Sequence, residues 1–356
     1  MKKILPRAGL FLVFLFVVLS VFWWRTMLWT GQLRGVRAHF DGQCTSAAKI
    51  VGAEDLVIDR EMRLVYISSH DRRNPASAGS IWVMPVDAPE TAKPLALPDL
   101  GGALFAPHGM DLLITEDGSR FLFMIDHGSA PKQLVRLFKV TGESLELVRT
   151  FESPAFYSPN DIAAVSETQF YLTNDNREKL GSLDAFLAVL FKRRTGNVVW
   201  MDDGEAKAVA DGFSYANGIA TSNDLNQLYV SSTITQDLRI FDRDTATGEL
   251  TLIDSIFLSS GLDNVDVAED GSLWIGSHPR LFDFSAHAKD AAKDSPSQVF
   301  RLNPKDKSIS EVFVSDGADL SALSVAAQID NLIFMGGVFD TQVLVCEQKS
   351  QPDAET

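Results

Sequence analysis

Two adjacent oxygen-bearing side chains, Asn160 and Asp161, stand between Ser158-Pro159 and the apolar run Ile162-Ala163-Ala164-Val165. The arrangement recurs. Glu54-Asp55 precedes Leu56-Val57-Ile58, Pro107-His108-Gly109-Met110 precedes Asp111-Leu112-Leu113-Ile114, and Asn217-Gly218 precedes Ile219-Ala220-Thr221. Asp263-Asn264 precedes Val265-Asp266-Val267, and a weaker sixth copy begins near Ser321. Glu54, Asp55, Asn160, Asp161, Asn217, Asp263 and Asn264 offer hard oxygens and no sulfur. Such a set suits Ca²⁺, which takes roughly 6–8 oxygen ligands and accepts amide carbonyls beside carboxylates. Asn and Asp also open strands and cap turns in any β protein; the recurrence is what favours a metal. A second chemistry lies in His108 and His127. Each flanks one of two neighbouring predicted strands, so a turn brings them together, and imidazole exchanges protons near neutral pH.

The elements that must position these groups are short. The copies lie roughly 45–60 residues apart, the length of a four-stranded propeller blade. The apolar runs are brief and broken by Gly, Asp, Asn and Pro, as in an all-β array. Six copies predict an all-β, six-bladed propeller, which gathers equivalent positions around one axial channel. One segment, residues 180–194, reads instead as a helix. Leu183, Phe186, Leu187, Leu190 and Phe191 share a face closed by Lys192, Arg193 and Arg194. It lies on a membrane surface, roofs the site at the channel mouth, or simply packs on the propeller's own top. A second short helix is expected over residues 286–293.

The 356 residues, 46% of them hydrophobic, suffice for one large domain. A net charge of −15 with no basic face excludes a nucleic-acid binder. Residues 10–24 are almost wholly apolar, follow Lys2, Lys3 and Arg7, and lack a small-residue cleavage signal. This favours an uncleaved signal anchor with the propeller on the periplasmic or extracellular side; a cleaved signal would give a secreted protein. The divisions expected are 1–28 for the cytosolic stub and anchor, 29–43 for a linker, 44–347 for the propeller and 348–356 for a disordered tail. The two cysteines, Cys44 and Cys346, bracket the propeller. They either join its first and last strands outside the cytosol or stay reduced in the core. No G-x-S-x-G elbow, P-loop, G-x-G-x-x-G or EF-hand loop occurs, nor any N-x-[ST] acceptor.

With these motifs assembled, the chain resembles the paraoxonase-type lactonases and arylesterases. That family belongs among the calcium-dependent six-bladed propellers, with gluconolactonases and strictosidine-synthase-like proteins. The resemblance runs from Gly52-Ala53-Glu54-Asp55-Leu56 to Cys346. It rests on G-x-E-D-L, P-H-G, N-D-I-x-A-V followed by F-Y-x-T-N-D, D-G-F-x-x-A-N-G-I, and D-N-x-x-V followed by L-W-x-G-x-H-P. It implies two Ca²⁺ ions: a catalytic one on Glu54, Asn160, Asn217, Asp263 and Asn264, and a structural one on Asp55, Asp161 and the Met110 carbonyl. It implies a His108–His127 dyad, and His278 and Ser158 in the pocket. The substrate class implied is lactones and aryl esters. The family also contains membrane chaperones, in which calcium would be structural only. The chain departs from the family at His70-Asp71-Arg72-Arg73-Asn74-Pro75, where a pocket aromatic is replaced by polar and cationic residues, leaving open acidic or more polar esters.

Overall fold

The computed structural model describes residues 4–128, 132–178 and 182–349. Among these, strands form six antiparallel sheets around one axis. Their innermost strands are Ala53–Asp59, Pro107–Ile114, Pro159–Ser166, Ala216–Thr221, Gly261–Val267 and Leu323–Ile329. All six start at one end of the channel, here the top. Each sheet is buried on both faces against its neighbours. Phe121, Phe123, Phe151 and Phe170 fill one such seam, and Tyr171, Trp200, Phe213 and Phe241 the next. The expected six-bladed propeller is therefore the observed architecture.

The ring is closed twice. Gly42–Ala48 adds the fourth strand to the sixth sheet, with Cys44 directly opposite Cys346, and the two form a disulfide across 302 residues of chain. His39–Phe40 adds a fifth strand to the fifth sheet. Residues 39–40 and 42–43 of the expected linker over 29–43 thus lie in strands, because backbone groups left over at two sheet edges find partners there. The last strand ends at Gln348, inside the expected tail; residues 350–356 lie outside the described residues.

Three α-helices accompany the sheets among the described residues. Helix α1, Ile4–Trp29, carries the apolar run, and its segment Gly9–Trp29 is long and apolar enough to cross a membrane, a test a signal sequence also passes. Its foot is docked on the top face. The Gln236 amide donates to the Trp29 carbonyl at 2.8 Å, and the Leu281 N–H to the Thr30 carbonyl at 3.0 Å. Gly31, at φ +74°, leaves no room for a side chain, since a Cβ would overlap the Pro279 carbonyl oxygen at 1.9 Å. Helix α2, Leu183–Leu190, is capped by Ser182, whose Oγ accepts the Ala185 N–H. It is shorter than the expected 180–194, and residues 180 and 181 lie outside the described residues. Its small Ala185 and Ala188 face inward, while Leu183 and Phe186 remain 70% and 58% exposed. Helix α3, Leu281–Lys289, begins earlier than the expected 286–293, because Leu281 is buried and anchors its first turn.

Candidate active site

Every innermost strand breaks register with its neighbour near its top end. The pairing skips Glu54, His108-Gly109, Asn160-Asp161, Asn217-Gly218, Asp263-Asn264 and Ser324 in the six sheets. In a regular strand consecutive side chains point to opposite faces. The irregularity re-aims them, so both members of each polar pair are buried at the axis. Ser324 is the sixth equivalent, three residues beyond the Ser321 expected from the repeat; its Oγ donates to the Glu54 carbonyl at 2.6 Å.

The upper tier gathers Glu54, Asn160, Asn217, Asp263 and Asn264, all buried. The Asn264 Nδ2 donates to the Glu54 carbonyl at 3.0 Å and to Glu54 Oε1 at 3.2 Å. The Asn217 Nδ2 donates to Thr233 Oγ1 at 2.9 Å. With these nitrogens engaged, four buried acceptors have no hydrogen-bond partner: Glu54 Oε2 and the Oδ1 atoms of Asn160, Asn217 and Asn264. Hydroxyls of adjacent strands hold the backbone behind them. Thr173 donates to the Asn217 carbonyl and Ser231 to the Asp263 carbonyl, each at 2.6 Å. These hydroxyls were not singled out in the sequence, although Thr173 stands inside F-Y-x-T-N-D.

The lower tier is the pair Asp55 and Asp161. The N–H groups of Leu56 and Met110 donate to Asp55, and those of Ile162 and Ile219 to Asp161, at 2.7–2.9 Å. Met110 thus meets Asp55 through its N–H, the contact the sequence did not foresee. Burial, with Asp161 and Glu54 nearby, pushes the Asp55 carboxyl well above its usual range. Burial does the same to Asp161 and raises Glu54 to about 7, against the opposing pull of Arg72. Among the described residues no group of three His, Cys, Asp or Glu converges as a metal cluster. Amides make up three of the five upper donors, and a buried set of amide and carboxylate oxygens left without hydrogen bonds, beside a Glu54 carboxyl raised by burial, is one a hard cation fits.

The histidines lie beside this well. His108 and His127 approach edge to face, ring centroids 4.9 Å apart. His108 Nε2 is 3.6 Å from Glu54 Oε1. Arg72 Nη2 lies 3.3 Å from His108 Nδ1 and 3.5 Å from Glu54 Oε2. A guanidinium only donates, so Nδ1 of His108 accepts and its proton rests on Nε2. His127 Nδ1 pairs with Gln133 Oε1, leaving His127 Nε2 with a free lone pair. Burial, then the Arg72 charge, holds His108 well below the usual histidine value; burial also lowers His127. His278 Nε2 is 2.7 Å from Asp263 Oδ2, and its ring lies against Phe284, tilted by 33° with centroids 4.1 Å apart. Ser158 Oγ donates to Asp175 Oδ1 at 2.5 Å. The expected ligands and histidines converge on the well; Ser158 instead bonds Asp175, Cys44 and Cys346 lie apart in outer strands, and Arg72 is the cation that sequence reasoning noticed but did not seat.

Fold and well together define a six-bladed propeller with an acid- and amide-rich axial site flanked by histidines. The sequence profile of the family described as Arylesterase matches residues 50–348. Rat serum paraoxonase/arylesterase 2 is 30% identical over 257 residues, 69% of this chain and 69% of its own. Human serum paraoxonase/arylesterase 1 is 29% identical, covering 83% and 86%. Among solved structures, a luciferin-regenerating enzyme superimposes with a TM-score of 0.57 at 13% identity, covering 86% of this chain and 95% of that one. A gluconolactonase from Xanthomonas campestris gives 0.56 at 16%, covering 89% and 99%; both likenesses are of fold. The chain belongs to the arylesterase family, and it is a carboxylic-ester hydrolase of the lactonase and arylesterase kind.

Proposed function

We propose that this protein is a calcium-dependent hydrolase of lactones and aryl esters, working at the top of the axial channel. The observation that carries the reading is the set of four buried oxygens without hydrogen bonds on Glu54, Asn160, Asn217 and Asn264. Glu54, Asn160, Asn217, Asp263 and Asn264 would hold a catalytic ion, and Asp55, Asp161 and the Met110 carbonyl an inner structural one. Calcium, when bound, supplies a Lewis acid for the scissile carbonyl and the oxyanion that follows. The chain's own residues do the rest. The hydroxyls of Thr173, Ser231 and Ser324 fix the backbone that carries Asn217, Asp263 and Glu54, so the oxygens need little reorganisation. Neutral His127 receives the proton of the attacking water, and His108, packed edge to face against it, positions its ring. Arg72 occupies the lone pair of His108, so the free one is on His127 Nε2. His278 orients Asp263. Helix α1 would anchor the chain, with α2's exposed apolar side chains at the same surface and the disulfide-closed propeller on the oxidising side.

The test uses the full-length protein in detergent with phenyl acetate and a panel of acyl-chain lactones. Turnover is expected to vanish in excess EGTA and return with calcium. Asn217→Ala and His108→Gln are each expected to lower kcat/KM by roughly 10²-fold or more, with melting temperature nearly unchanged. Full turnover in EGTA, or full activity of both variants, would overturn the reading.

A further inference from the structure

Below Asp55 and Asp161 the channel does not end. It continues into a cavity of about 480 Å³, lined by the lower halves of the innermost strands. Asp55, Met110 and Asp161 border this cavity; Glu54, Asn160, Asn217, Asp263 and Asn264 do not. The two tiers therefore face different ends of the molecule. The lower rim reaches solvent at Asn223 and Leu225, at the end opposite the foot of α1.

Two more acids line the route, Asp111 and Asp266. Asp111 accepts the Leu112 and Ala164 N–H groups, each at 2.8 Å. Asp266 Oδ2 is buried without a hydrogen bond; its cationic neighbour is Arg60, whose Nη2 lies 3.5 Å away, and Asp111 is close enough to feel its charge. Arg60 is held in place by the carbonyls of Gln328 at 2.6 Å and Val267 at 3.2 Å. The cavity thus presents a pair of carboxylates below the inner tier and one fixed positive charge beside them. At the upper end, an ion bound for Asp55 and Asp161 would have to pass the outer ligands, with the guanidinium of Arg72 beside them.

We infer that the inner ion is loaded and released through the lower channel, with Asp111 and Asp266 as stations along it and Arg60 as its electrostatic barrier. The inference rests on the two-ion reading above and adds the direction of exchange and the residues that set its rate. A carboxylate at a few ångströms lowers the energy of a passing divalent cation, and a guanidinium raises it. At an effective dielectric of about 20, one charge changes a rate by roughly tenfold or more.

The experiment loads the full-length protein with calcium in detergent, counts bound ions by elemental analysis, then mixes it with a fluorescent calcium chelator. Two release phases are expected, the slower belonging to the inner ion. Asp266→Asn should slow that phase roughly tenfold, and Arg60→Gln should quicken it by a similar factor. The faster phase, and turnover in saturating calcium, should not move. Opposite signs from two substitutions keep the result apart from simple misfolding, which would speed both. Fewer than two bound ions would overturn the two-ion reading and this inference with it. Two ions with a slow phase indifferent to both substitutions would overturn the inference alone.

Discussion

Asp175 carries a charge that its surroundings oppose. Ser158 donates to it, yet burial pushes its carboxyl up to about 6. Beside it Tyr215, at φ +65°, is pushed well above the usual phenol value by that carboxylate first and by burial second. An unfolded aspartate titrates near ~3.9, so the folded chain holds this proton more tightly. The stability gained from it is complete below about 4 and is lost as pH rises through about 6. We expect Asp175→Asn to raise the melting temperature at pH 7.5 by several degrees, reflecting roughly 1–3 kcal/mol, and to flatten its dependence on pH between 4 and 6. A lower melting temperature at pH 7.5, followed by calorimetry, would mean that the hydrogen bonds to the carboxylate outweigh the cost of its burial. The sequence pointed to Ser158 and passed over Asp175, because what joins them is a hydrogen bond across 17 residues rather than adjacency.

Strand geometry accounts for how much of the site could be read in advance. The polar pairs were legible because the register irregularity sits at the same place in every blade, so a structural necessity became a repeat. What holds the innermost strands together was not legible. Gly109 packs against the neighbouring blade, where a Cβ would lie 2.5 Å from the Asn160 carbonyl oxygen and 2.6 Å from Asp161 Oδ1. Gly109→Ala must part those strands, and we expect it to cost roughly 1–3 kcal/mol in chemical denaturation and to weaken calcium binding. An alanine variant as stable and as avid as the parent would show that the strands can shift without disturbing the ligands. Helix α2 illustrates the opposite limit. Its apolar stripe was plain, but which side faces the protein is decided by Ala185 and Ala188 fitting where Phe186 does not, and periodicity carries no such information.

For the whole molecule, the ring closure is both the most legible feature and the one with the largest energetic reach. Cys44 and Cys346 bracket the repeats in sequence, and in the fold they stand opposite each other in adjacent strands. Bridging a loop of 302 residues nominally stabilises by up to ~5 kcal/mol on the chain-entropy account. We expect Cys44→Ser with Cys346→Ser to lower the denaturant midpoint accordingly while preserving turnover at 25 °C, since neither residue touches the well. No change in midpoint would place the strength of the closure in strand pairing alone. That closure also sets a timetable for synthesis. Gly42–Ala48 is translated early, but its ladder partner among the described residues, Val343–Gln348, emerges almost last. Until then the nascent chain carries an unmated edge, the kind of surface that recruits other chains. A stop codon shortly before residue 343 would therefore do more than trim the end: it would leave a five-and-a-half-bladed fan with two sticky margins, destined for proteolysis or inclusion bodies.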